Sequence, residues 1–223
     1  GRADDPEKEW FTKVQLSDQA HYDLKEHAYR CGIEFVSTPF SLNRAKFLCE
    51  ELRLKKVKIA SSEMCNLPLL DYINEHAEVV FLSTGMATLD EVTTSLSHLS
   101  RVKACYIMHC VTQYPARYED LNLSIISGLK TTFPAYPVGY SDHTIGILAP
   151  VVAVALGARV IEKHFTLDKT LPGTDHILSV TPKELSEMIN QIRHVEAMLG
   201  NSVKMPLLKE KEIRDFVRTR FLK

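Results

Sequence analysis

Six times along this chain a short β-rich segment is followed by a polar turn and a helical pattern. The β segments are Glu34–Ser37, Val57–Ser61, Val79–Ser83, Cys105–Val111, Pro137–Ser141 and Val160–Phe165. Helical stretches include Asp18–Arg30, Ser41–Leu54, Leu67–Glu75, Leu89–Leu99, Leu121–Thr131 and Ile145–Leu156. Thr88 with Glu91, and Thr181 with Glu184, have capping-box spacing, and the second pair opens a helix that runs to Leu199. Strands alternating with helices argue for parallel strands joined by right-handed crossovers, either as a doubly wound sheet or as a barrel. A doubly wound sheet usually carries a Gly-rich phosphate turn after its first strand, and none is present here. Polar residues instead stand at the C-terminal end of nearly every β segment: Ser37-Thr38, Ser61-Ser62-Glu63, Ser83-Thr84, Thr112, Ser141-Asp142-His143 and Glu162-Lys163-His164. A barrel builds its active site from such strand ends. The expected fold is therefore α/β, a (β/α)8 TIM barrel. Gly1–Ser17 supplies no further strand pattern, so the expectation is that the two N-terminal β/α units are missing from this chain.

Composition narrows the class of function. The 223 residues are 45% hydrophobic and 25% charged, enough for one sizeable core. Lys and Arg number 27 against 28 Asp and Glu, so there is no basic excess to favour nucleic acid or an anionic membrane. The best apolar run, Ile145 to Ala158, has the length of a core helix and cannot span a bilayer. The N-terminal residues are charged and lack a signal-peptide core. Cys31, Cys49, Cys65, Cys105 and Cys110 form no Cys-x-x-Cys pair, and their odd number in apolar segments reads as reduced, buried and cytoplasmic.

The chemistry-bearing residues fall on the last strands. Period-two alternation puts Val160, Glu162, His164 and Thr166 on one face, and Gly139, Ser141 and His143 on one face of the preceding strand. Adjacent parallel strands would bring His143 and His164 together. Two imidazoles with carboxylates nearby suit Mn2+, Fe2+, Co2+ or Zn2+; the plainer alternative is a pair of hydrogen-bonded strand-end histidines. Lys58 stands among Val57, Ile59 and Ala60, where it pairs with an anion, forms a Schiff base, or simply snorkels. Ser61, Ser83 and Ser141 could aim hydroxyls and backbone N–H groups at a phosphate, or serve as turn and cap serines. Glu63, Glu162 and Asp175 are candidate acid–base groups, with a structural or solvated role as the alternative. Tyr114-Pro115 reads equally as a turn with core packing, and the cysteines have no partnered histidine that would make a thiol nucleophile.

Taken together, Gly139-Tyr140-Ser141-Asp142-His143-Thr144, Glu162-Lys163-His164-Phe165-Thr166 and Gly173-Thr174-Asp175-His176 resemble the sialic acid (N-acetylneuraminate) synthase family. That family of nonulosonate synthases includes legionaminic and pseudaminic acid synthases and spore-coat polysaccharide relatives. Further matches are Ala155-Leu156-Gly157-Ala158, Ser37-Thr38-Pro39-Phe40, Lys58-Ile59-Ala60-Ser61, Ser83-Thr84-Gly85-Met86, and His109-Cys110 followed by Tyr114-Pro115. The resemblance runs from about Leu16 to Gly200.

It implies a (β/α)8 enzyme that condenses phosphoenolpyruvate with an N-acyl hexosamine such as N-acetylmannosamine and releases phosphate. By motif, His143 and His164 would hold a divalent metal, usually Mn2+ with Mg2+ or Co2+ as alternatives, which polarises the open-chain sugar aldehyde. C3 of phosphoenolpyruvate attacks that aldehyde, water adds at C2, and the tetrahedral intermediate loses phosphate by C–O cleavage. Lys58, Ser61, Ser83, Ser141 and Thr38 would hold the phosphate and carboxylate. Glu63 would be the general acid or base, and Tyr114, Glu162 and Asp175 would orient the sugar. Thr112 stands where relatives can carry an asparagine, which leaves that polar contact open. The resemblance also implies a homodimer. It divides the chain into a partial barrel, 1–205, and a segment, 206–223, that begins a linker toward an absent C-terminal antifreeze-like domain. Two rival readings are another phosphoenolpyruvate-dependent 3-deoxy sugar acid synthase and a truncated, non-catalytic homologue.

Overall fold

The computed structural model describes residues 15–221. Expectations that fall on residues 1–14 lie outside the described residues. Five parallel strands form one sheet: β1 (Lys56–Ile59), β2 (Val79–Ser83), β3 (Ala104–Cys110), β4 (Val138–Asp142) and β5 (Ile161–Lys163). Their spatial order is the sequence order, β1-β2-β3-β4-β5. A doubly wound sheet reverses its strand order at a switch point, and this sheet never does. Right-handed crossovers that always advance in one direction place every connecting helix on the same face, which is the winding of a barrel wall.

The helices are α1 (Asp18–Arg30), α2 (Leu42–Lys46), α3 (Leu67–His76), α4 (Leu89–His98), α5 (Ile125–Thr132), α6 (Leu148–Ala155), α7 (Pro182–Leu199) and α8 (Leu208–Arg218). Their starts follow local chemistry. The Ser17 hydroxyl accepts from Ala20 N at the head of α1, Asn66 caps α3, and complete capping boxes at Thr88/Glu91 and Thr181/Glu184 open α4 and α7. Alternate residues of the strands face the helices. Val57, Ile59, Val80, Leu82, Cys105, Ile107, Val138 and Tyr140 pack there against Leu69, Leu70, Ile73, Val92, Leu96, Ile126 and Leu129 to form the core.

Four expectations need correction. Glu34–Ser37 does not extend the sheet as a strand; it contributes one parallel bridge, Ser37 to Val57, in which Lys58 N donates to Ser37 O at 3.1 Å. That single bond seats Thr38 beside β1. The predicted helix Ser41–Leu54 is instead the short α2 followed by a wide turn over Phe47–Glu51, closed by Leu52 N donating to Phe47 O at 2.9 Å. Widening the turn lets Phe47, Leu48, Leu52 and Leu54 bury together in a second small core against Phe35. α5 starts four residues later than predicted because Asn122 takes a left-handed conformation, φ 44°. Finally, Cys31 and Cys65 are exposed, since one caps the end of α1 and the other lies in the turn before α3; Cys49, Cys105 and Cys110 are buried. All five are free thiols, and burial pushes Cys49 up to about 11 and Cys105 up to about 12.

The segment 206–223, read from sequence as the start of a linker, carries α8, all of whose residues are exposed. No described helix is long and apolar enough to cross a membrane.

Ile107 is fully buried in the middle strand. Ile107→Ala is expected to lower the unfolding free energy by about 2–5 kcal/mol, against about 1 kcal/mol for removing the α4 cap with Thr88→Ala. Urea denaturation measures both, and equal losses would contradict the placement of the core.

Candidate active site at the strand ends

A cavity of about 300 Å3 opens where the strands end, lined by Thr38, Lys58, Ser61, Ser83, Thr112, Tyr114, Ser141, His143, Glu162 and His164 among others. The register puts these groups there. Cys110 pairs with Ser141 and Ser141 with Glu162, so the side chains of three successive strands project to one face at the same level. Asp142 pairs with Lys163, and the next residues on each strand are His143 and His164. Their rings meet edge to face with centroids 5.5 Å apart. Tyr114 stacks on His143 at 4.1 Å and meets His164 edge-on at 5.8 Å. The Tyr114–Pro115 peptide that presents this ring is cis.

One side of the cavity carries a shielded cation. The Lys58 ammonium is largely shielded, with 12% of its side chain exposed, and lies 3.4 Å from Glu162 Oε2. Its partner carboxylate is 43% exposed and also receives the Ser141 hydroxyl at 3.4 Å. Lys58 thus has an anionic partner, and the snorkelling alternative does not describe it. Ser83 Oγ is buried and has no hydrogen-bond partner. A buried hydroxyl left unpaired costs free energy, and a cavity-lining one is a place for a ligand acceptor.

Ser61 is fixed by the β2–α4 turn: Gly85 N donates to its Oγ at 2.9 Å, and Cys110 Sγ lies 3.2 Å from the same oxygen. Any side chain at Gly85 would displace the polar groups of this corner. A Cβ there would sit 2.3 Å from Thr112 Oγ1, 2.8 Å from Ser61 Oγ and 2.9 Å from Cys110 Sγ.

The other side is built from imidazoles. His143 Nδ1 lies 2.7 Å from Val111 O, and a carbonyl only accepts, so Nδ1 donates and Nε2 is the ring nitrogen left for another partner. His164 Nδ1 lies 3.5 Å from Asp175 Oδ2. Burial pushes His164 below the usual imidazole range, with Asp175 opposing that shift and His143 adding to it. A neutral imidazole is the form that ligates a metal. Among the described residues no three His, Cys, Asp or Glu side chains converge as a ready-made metal cluster. Two adjacent imidazoles at an open mouth are a donor set that fits an ion whose remaining positions are left for substrate and water.

Two of the expected site residues do not line the cavity. Glu63 lies on the turn after Ser61, with Asn66 Nδ2 donating to its Oε2 at 2.9 Å, and Asp175 stands behind His164. Residues the sequence reading left without a role do line it: Phe40, Ser62, Met86 and Cys110. Alternation along the predicted strand could have placed Cys110 beside Ser141's face. A larger, mostly apolar cavity of about 670 Å3 lies next door between α4 and α5 and shares Met86, Cys110 and Thr112 with the first.

The fold is that of an α/β protein whose parallel sheet gathers one lysine, a row of hydroxyls and two imidazoles around a cavity at its strand ends. The sequence profile of the NeuB family matches residues 2–204, and the chain belongs to that family. It is 42% identical over 219 residues to the N,N'-diacetyllegionaminic acid synthase of Legionella pneumophila, covering 94% of this chain and 60% of that protein. An uncharacterized protein of Methanocaldococcus jannaschii is 46% identical over 207 residues, covering 92% of this chain and 61% of its own length. The crystal structure of an N-acetylneuraminic acid synthetase from Leptospira borgpetersenii, in complex with citrate, superposes with a TM-score of 0.90 at 34% identity, covering 99% of this chain and 77% of that one. The chain spans about three-fifths of the length of the curated relatives just named.

His109, 6% exposed, is buried between β3 and the Leu121 carbonyl, and burial pushes its pKa below 6.5. Between its folded and unfolded pKa values the unfolded chain binds more protons, so stability is complete above pH 6.5 and falls as pH drops through the folded value. The melting temperature is expected to decline below that pH, and His109→Gln to flatten the decline. An unchanged slope in the variant would show that His109 does not carry it.

Proposed function

We propose that this chain holds the catalytic site of a synthase that joins phosphoenolpyruvate to an N-acyl hexosamine, forming a nonulosonic acid and releasing phosphate. The observation that carries the reading is the convergence of Lys58, the buried and unpartnered Ser83 hydroxyl, and the paired rings of His143 and His164 around one cavity, in a chain of the NeuB family. The relatives' names supply the substrate class, and the strand-end chemistry supports it. In this reading the five-stranded sheet is part of the wall of a (β/α)8 barrel, and the enzyme works as a homodimer.

Lys58 with Ser61, Ser83, Ser141 and Thr38 would bind the enol phosphate and carboxylate, so that the charge of the substrate replaces Glu162 as the partner of the ammonium. Holding both anionic groups fixes the enol face that C3 presents to the aldehyde. Tyr114, stacked on His143, would form a wall for the sugar chain, with Glu162, Asp175 and Thr112 ordering its hydroxyls. Glu63, on the turn beside Ser61, would swing from Asn66 into the cavity to serve as the proton-transfer group when water adds at C2 and the C–O bond to phosphate breaks. Nε2 of His143 and of His164 would hold the divalent ion, Mn2+ with Mg2+ or Co2+ as alternatives; once bound, it supplies Lewis-acid polarisation of the aldehyde oxygen.

The expected outcome is phosphate release from phosphoenolpyruvate with Mn2+ and one member of a panel of N-acyl hexosamines, measured with this chain and with its longest natural form. Metal binding without release in either form would instead support the non-catalytic reading. Lys58→Met is expected to raise the KM for phosphoenolpyruvate about tenfold or more, since a hydrogen bond to a charged group is worth about 1.5–3 kcal/mol. His143→Ala is expected to abolish Mn2+ binding measured by calorimetry, and unchanged affinity would refute the two-histidine site.

A further inference from the structure

We infer that Asp142 and Lys163 are a positioning pair, a buried ion pair behind the sheet that sets the imidazoles of His143 and His164 side by side. Alternation puts Asp142 on the side of β4 opposite Ser141 and His143, and Lys163 on the side of β5 opposite Glu162 and His164. Neither residue lines the strand-end cavity. They meet behind it, Lys163 Nζ donating to Asp142 Oδ2 at 2.6 Å, with side chains 3% and 0% exposed.

Every acceptor position of the carboxylate is used. Tyr140 OH and Thr144 N donate to Oδ1 at 2.9 and 3.0 Å, while Thr144 Oγ1, at 3.0 Å, shares Oδ2 with Lys163. Lys163 Nζ also donates to Thr144 O. The network therefore grips the residue before His143, the residue after it, and the residue before His164.

Backbone pairing alone does not hold the two histidines together. The β4–β5 ladder has three registered pairs and ends at Asp142 with Lys163, one residue short of the imidazoles. Past that point β5 turns to other partners: Val180 N donates to His164 O at 2.8 Å, and Phe165 bridges Val180. On the β4 side, Ala116 N donates to His143 O. The ion pair is the cross-strand link at the very step where the ladder stops. Buried ion pairs are seldom the cheapest way to stabilise a core, because apolar residues of similar volume commonly serve as well. A charge pair that specifies geometry accounts for its presence here.

The inference rests on the reading that the two imidazoles act together, and its test has a metal-free readout. The double variant Asp142→Asn/Lys163→Met removes both charges without leaving either buried alone. Its amide keeps an oxygen for Tyr140 OH and Thr144 N. The expected result is a cooperative melt like that of the parent, with ring carbon–proton NMR signals of His143 and His164 shifted or doubled in metal-free protein and those of His194 unmoved. Mn2+ affinity should fall about 10- to 100-fold, as it does when groups that orient metal-ligating histidines are lost. Lys163→Arg, which keeps the ion pair, should leave both ring signals single. Tyr140→Phe, which removes one bond to the carboxylate and leaves both charges, should move the same two signals by less. Unchanged His143 and His164 signals in a folded double variant overturn the inference, and so do unchanged signals in Tyr140→Phe if the double variant fails to fold. If the parent chain takes up no Mn2+ while the double variant still disturbs both rings, the metal reading fails and the positioning pair stands.

Discussion

In-register pairing of parallel strands is the constraint on which the site depends. Each strand delivers one or two polar side chains to the same end of the sheet, and a slip of one residue would turn every one of them to the helix-facing side. In β4 such a slip would turn Ser141 and His143 toward the helices and Tyr140 and Asp142 toward the cavity. The helix-facing residues Val57, Ile59, Val80, Leu82, Ile107 and Val138 resist the slip, because moving them would bring a large apolar surface into water. Core and cavity are thus two faces of one register, and the apolar face stabilises what the polar face presents.

Electrostatics then divides the cavity into two ends. At one end stand the shielded Lys58 ammonium and the unpartnered Ser83 hydroxyl, donors that favour an anion. Burial disfavours protonation of His164, which meets the His143 ring edge to face, so this end favours a lone-pair donor over positive charge at His164. Glu162 links the ends, receiving Lys58 on one side and Ser141 on the other. In the proposed reaction the anionic phosphoenolpyruvate would take the lysine end and the sugar aldehyde the imidazole end.

Much of this was legible in the chain itself because period-two alternation and strand-end position are local properties. Lys58, Ser61, Ser83, Ser141, His143, Glu162 and His164 were all singled out, and they line one cavity. The helix Asp18–Arg30 matches its predicted span because Ser17 marks its start by capping chemistry. What could not be read depends on contacts between distant residues. Glu34–Ser37 has a strand composition, but whether it forms one depends on the neighbours available, and here it finds a single bridge to Val57. Asp142 and Lys163 looked like two more strand-end polar residues. Their pairing follows only once β4 and β5 are placed side by side and alternation sends both to the buried face. The wide turn at Phe47–Glu51 is likewise set by the burial of Leu48 and Leu52, which no local propensity reports.

The most direct test is an anomalous difference map from crystals of this chain grown with Mn2+ and phosphoenolpyruvate. The account predicts one manganese peak within bonding distance of Nε2 of both His143 and His164, and phosphoenolpyruvate density against Lys58 and Ser83. Manganese bound elsewhere, or phosphoenolpyruvate seated away from the strand ends, would contradict it.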